Sequence, residues 1–115
     1  MVNETPNAGV VTALVDAATV VTDASIGDQF TLTTTQNFTL ANPTGAVDGQ
    51  RLEYLIKQGV GGSHIITYDT KFRGSTDTAL PLLTTAAGDV DILIFRYDAA
   101  VDFFDLLAYN KGYAS

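Results

Sequence analysis

The chain has 115 residues and a formal net charge of −7, from 13 acidic against 6 basic side chains. That length gives room for one domain with one modest core, and the acidic balance speaks against a basic face for nucleic acid or for an anionic membrane. The absence of cysteine excludes disulfides and thiolate chemistry, and no apolar run approaches the roughly 20 residues that cross a bilayer.

Met1 to Pro6 is polar and carries Glu4, which reads as a solvated arm and not as the basic start of a signal peptide. Val10, Leu14, Ala18 and Val21 share one helical face, yet the segment is rich in Val and Thr, which lose rotamer freedom in a helix. Extended structure is therefore expected over residues 18–22, while residues 10–16 stay open. From Phe30, apolar Phe30 and Leu32 alternate with Thr31 and Thr33, the period of a half-buried strand. Gln36-Asn37 predicts a tight turn and Phe38–Leu40 the returning arm of a short hairpin. Residues 42–49 read as a loop.

Residues 51–58 form the clearest amphipathic strand, with Leu52, Tyr54 and Ile56 on one face and Arg51, Glu53 and Lys57 on the other. Gly59 to Ser63 predicts a hairpin loop, with residues 64–68 as the partner strand. Residues 69–79 read as a loop anchored at Lys71-Phe72, and Pro81 argues against a central strand there. Residues 90–97 and 103–109 read as a hairpin whose two strands are apolar on both faces. Strands of that kind are buried on both faces. The expected cover is either the N-terminal segment or a second subunit, and the second is preferred.

Asp supplies eleven of the thirteen acids, while Thr, Ala and Gly account for 40 residues in all. Thr, Val, Ile, Tyr and Phe suit strands and Asp, Asn and Gly suit turns. The fold class expected is all-β: a single antiparallel β-sandwich or jelly-roll-like domain over residues 17–115, preceded by an arm or first strand over residues 1–16.

Chemistry-bearing motifs are sparse. His64 is the single histidine, and no serine sits in a Gly-x-Ser-x-Gly elbow. Gly59-Val60-Gly61-Gly62 lacks the Gly-Lys-Ser/Thr ending of a phosphate loop. Asp89, Asp91, Asp98, Asp102 and Asp105 lie close in sequence, but not at the spacing of a dedicated calcium loop, so protection of strand ends is the preferred reading over calcium or glycoside chemistry. Asn3-Glu4-Thr5 and Asn37-Phe38-Thr39 match the short glycosylation pattern without other support. No enzyme activity, metal or other cofactor is expected.

The stretch FTLTTTQNFTLANPTGAVDGQRLEYLIKQ, from Phe30 to Gln58, resembles a β module that recurs in structural proteins of tailed-bacteriophage virions, of the head-decoration, head-fibre or tail-fibre type. Leu40-Ala41-Asn42-Pro43, the turn Asp48-Gly49-Gln50, the Gly-rich loop after Gln58 and the terminal Tyr109-Asn110-Lys111-Gly112-Tyr113 carry the likeness in their order over residues 18–113. The resemblance implies a non-catalytic protein at the particle surface, usually a homotrimer. It also implies a major capsid protein or a tail protein as partner, while the acidic charge leads to the expectation of neither nucleic acid nor membrane. A capsid decoration protein is the preferred form, since the chain shows neither heptads nor a Gly-X-Y stalk. A small tail or fibre protein that binds a host-surface glycan is the alternative, with Tyr109 and Tyr113 as its aromatic candidates. Val10, Val11, Leu14 and Val15 are the expected partner-binding residues, and Leu93, Phe95, Phe104 and Leu106 the expected oligomer interface.

Overall fold

The computed structural model describes residues 10–114. Its elements are all strands: β1 (Val11–Ala13), β2 (Thr19–Val20), β3 (Gln29–Thr34), β4 (Phe38–Leu40), β5 (Arg51–Gln58), β6 (Ile66–Tyr68), β7 (Phe72–Arg73), β8 (Val90–Asp98) and β9 (Phe103–Tyr113). A six-stranded sheet has the order β1-β3-β5-β8-β9-β7, and a three-stranded sheet the order β2-β4-β6.

The all-β class holds, but the expected antiparallel arrangement does not. From β1 to β6 the chain passes alternately between the two sheets, so each strand lies parallel to the strand two places before it. Val11 stands opposite Gln29, Gln29 opposite Glu53, Thr19 opposite Thr39 and Phe38 opposite Ile66. A parallel bridge between Asp23 and Thr44 stacks the corners of two successive turns. Antiparallel pairing is confined to β5–β8 and β8–β9, and β7 lies parallel to β9 at the far edge.

Two expected hairpins are therefore corners between sheets. After β3, the Thr34 hydroxyl donates to the Gln36 carbonyl at 2.7 Å, and Asn37 Oδ1 accepts from the Ile65 amide at 2.9 Å. After β5, the buried Gln58 side chain donates from Nε2 to the His64 carbonyl at 2.8 Å and accepts from the His64 amide at Oε1, 3.1 Å away. These side chains supply the partners that a hairpin ladder would otherwise give to buried backbone. Gly62 closes the second corner: with φ at +60° it lies so near the Thr85 carbonyl that a Cβ would stand 2.4 Å from that oxygen. The third expected hairpin, β8–β9, is present.

The core lies between the sheets and is built mainly by the alternate residues read as apolar: Phe30 and Leu32, Phe38 and Leu40, Leu52, Tyr54 and Ile56, Leu93 and Phe95, Phe104 and Leu106. Aromatic rings concentrate at its centre, where Tyr54 packs against Phe30, Phe72 and Phe95 with centroids 5.7, 6.5 and 6.1 Å away. The Tyr54 hydroxyl reaches Thr22 Oγ1 at 2.8 Å, and Tyr68 donates to the Pro81 carbonyl at 2.6 Å.

Burial pushes both phenols above their ordinary value, and at Tyr68 the nearby Asp91 charge adds to it. The unfolded chain releases these protons near pH 10 while the folded chain retains them. The stability they contribute is thus complete below about pH 10 and falls as pH rises toward the folded values. Urea midpoints measured from pH 8 to pH 12 should decline above pH 10, and Tyr68→Phe should flatten that decline. An unchanged slope would dissociate it from this phenol.

Candidate functional site

Four surfaces bear on function: the N-terminal edge, the closing hairpin, the carboxylates around it and an open groove. At the edge, β1 pairs with β3, the Leu14 amide donates to the Thr31 carbonyl at 2.7 Å, and Asp16 accepts from the Thr35 hydroxyl at 2.6 Å. Residues 11–16 are thereby tied to the chain's own sheet. Leu14 packs against the core, while Val10, Val11 and Val15 are exposed. The part of the expected arm over residues 1–9 lies outside the described residues.

Leu93, Phe95, Phe104 and Leu106 are not surface: their exposures are 0%, 0%, 1% and 6% within one chain. Their place is the chain's own core, which corrects the expectation that they meet another copy. The reason is strand parity. Both strands of the hairpin are apolar on two faces, but only one face turns toward the three-stranded sheet. The other carries Ile92 and Ile94 of β8, which are half-buried by their neighbours. Leu107, on the exposed half of β9, is 45% exposed. Residues 10–16 run along the edge of the sheet, beside β3, and do not lie across this outer face.

The carboxylates that cluster in sequence separate in space into structural roles. Asp91 is buried and accepts from the Thr84 amide (2.7 Å), the Thr84 hydroxyl (2.8 Å) and the Gly112 amide (2.9 Å). Asp105 is paired with Arg73 at 2.7 Å, and that guanidinium also stacks over Phe103. Asp102 is held below the usual carboxylate range, first by the Lys71 ammonium at 2.6 Å and then by the Tyr97 hydroxyl, also at 2.6 Å. Among the described residues no three His, Asp or Glu side chains converge as a metal site would require. His64 lies with Nε2 2.9 Å from the Val60 carbonyl, as part of the loop after β5.

One concavity is an open groove of about 820 Å³ at the end of the six-stranded sheet, with Asp28, Asp48, Gln50, Arg51, Glu53 and Ile94 among its walls. Several of its polar groups are already engaged. Gln50 donates to the Ala24 carbonyl at 2.8 Å and to Asp28 at 2.9 Å, and Asp48 accepts from the Ala99 amide at 3.0 Å. No aromatic ring lines it, so it offers no stacking platform for a sugar. Tyr109 and Tyr113 are exposed, but on β9, away from this groove. The sequence reading missed the groove because its walls come from loops distant in the chain.

These features define an all-strand protein, a parallel two-sheet coil closed by an antiparallel hairpin, whose carboxylates brace the fold. No family model, curated protein or solved structure matches the chain.

Proposed function

We propose that the chain is a structural protein of a tailed-phage virion, a decoration or cement protein at the capsid surface, and that it works as a homotrimer. The observation that carries this reading is the ordered likeness running from Phe30 through the terminal Tyr109-Asn110-Lys111-Gly112-Tyr113. Two structural features support it. Hydrogen bonds and ion pairs engage Asp91, Asp102 and Asp105, three of the five carboxylates that cluster in sequence. The six-stranded sheet also turns one face away from the core, which suits a large flat contact better than small-molecule capture.

Docking in this reading uses the N-terminal segment, where exposed Val10, Val11 and Val15 continue residues 1–9. An arm that adds a strand to a partner's sheet edge gains main-chain hydrogen bonds with little sequence demand, and several arms on one oligomer multiply a weak contact. The test is co-sedimentation of the purified chain with tailed-phage particles stripped of surface proteins, followed by electron microscopy of the complex. Density for the chain on the capsid lattice is the expected result. A chain lacking residues 1–9 should fold and stop binding. Failure of the full chain to bind any capsid, or density on the tail alone, would overturn the assignment to the head.

A further inference from the structure

We infer that the outer face of the six-stranded sheet is the surface through which copies of this chain associate, sheet against sheet. The inference deepens the reading of the chain as an oligomeric structural protein and rests on it for the existence of an oligomer. The face itself is set by register. Leu55 stands opposite Ile92, Glu53 opposite Ile94, and Ile94 opposite Ala108, while Val11 and Ala13 extend the same rows across Gln29 and Thr31. The alternate residues of these strands fill the core, so Leu55, Ile92 and Ile94 point away from it. No described element lies over them. Parallel strands are ordinarily covered on both faces, and the parallel half of this sheet, β1-β3-β5, is covered on one.

Charge distinguishes a second copy from other occupants. The chain is strongly acidic, so two copies repel over most of their surface. This face is more balanced than the whole: it carries Arg51, Lys57, Arg73 and Arg96, four of the six basic side chains, against Glu53, Asp98 and Asp105, with Asp28 and Asp48 at its rim. Copies that meet here meet where charge is nearly balanced. Arg51 and Arg96 are also directly opposed across β5 and β8, an unfavourable like-charge pair. Among the described residues, neither they nor Glu53 is in an ion pair. Glu53 of one copy and Arg51 or Arg96 of another supply each other's missing partner. The six strands hold 39 residues, which at about 4.8 Å spacing and about 3.3 Å rise give a face of roughly 600 Å². Three such faces turned inward about a threefold axis remove about 1,800 Å² from solvent in all, so the proposed trimer forms on this face with each copy meeting both neighbours.

The experiment is light scattering with size exclusion on the full chain from 5 to 500 μM, beside Ile94→Lys, Ile94→Thr and the control Val60→Lys, whose site is on an exposed loop at the other end of β5. The chain and the control should share a mass that is a multiple of 12.2 kDa. Ile94→Lys should run at 12.2 kDa with an unchanged circular dichroism spectrum. Should Ile94→Lys fail to fold, Ile94→Thr, which a strand tolerates, decides: a dissociation constant raised at least tenfold supports the inference, and an unchanged one overturns it. A parent chain that stays monomeric at 500 μM overturns it as well, as does an Ile94→Lys oligomer of parental mass. Failure of the virion reading is separate and shows as a parent oligomer that binds no capsid.

Discussion

Phe95→Ala is expected to lower stability by about 3–5 kcal/mol, the cost of removing a fully buried aromatic ring and leaving a cavity. Phe95 is fully enclosed, with ring centroids of Phe72, Tyr54 and Tyr68 at 5.0, 6.1 and 6.4 Å. Each of those rings loses contact at once, and the sheets between which they lie are rigidly spaced, so the void cannot collapse cheaply. For a domain whose total stability is of order 5–15 kcal/mol, the loss is a large fraction, and the thermal midpoint should fall by about 15 °C or more. The same truncation one residue away, Ile94→Ala, removes an outward side chain and should cost the isolated chain under about 1 kcal/mol. Calorimetry on both variants checks the assignment of faces. If Phe95 belonged to a subunit interface, its loss would depend steeply on protein concentration; a core position gives a loss independent of it.

Strand parity was legible because it depends on nothing beyond the strand itself. Leu52, Tyr54 and Ile56 face the core as the alternation in residues 51–58 required, and so do Phe30 and Leu32. Which strands pair was not legible, because the period of two is the same in a hairpin and in a parallel coil. Gln36-Asn37 and Gly59 to Ser63 are short and turn-like, and such loops serve equally well as hairpin turns and as corners. The signal that separates the two is a polar side chain at the buried end of an apolar face: Thr34 and Gln58 occupy core-facing positions and bond the corner backbone. The β8–β9 hairpin was read as one, although its link of residues 99–102 is no shorter than the corner of residues 35–37; what makes it a hairpin is that the turn closes on itself, the Asp102 amide donating to the Asp98 carbonyl at 2.8 Å. Asp102 adopts the left-handed conformation, with φ at 60°. Two-faced hydrophobicity was over-read: it identifies a strand with two apolar faces but not which face belongs to the chain's own core. That choice follows from the position of the three-stranded sheet, which long-range parallel pairing decides.

Asp91 is the carboxylate with most to lose, and Asp91→Ala is expected to cost roughly 3 kcal/mol. It is 2% exposed and faces donors alone: two amides, from Thr84 and Gly112, and the Thr84 hydroxyl. Truncation strands those donors, and a stranded buried donor costs about 1–3 kcal/mol. It also unpins two segments together, the loop leading into β8 and the end of β9. Asp91→Asn separates charge and shape from hydrogen bonding. An amide at this site keeps its oxygen on the Thr84 amide, and its nitrogen can donate to the Thr84 hydroxyl, which rotates to accept. The Gly112 amide then confronts another donor. Asn should therefore cost less than Ala, about 1–2 kcal/mol, with the loss localised at Gly112. Chemical denaturation gives the ranking and hydrogen exchange gives the place. Asp91→Ala should speed exchange at both Thr84 and Gly112, and Asp91→Asn at Gly112 first. Equal stability of all three proteins would mean that these bonds contribute nothing net, and that the carboxylate is held there for another reason.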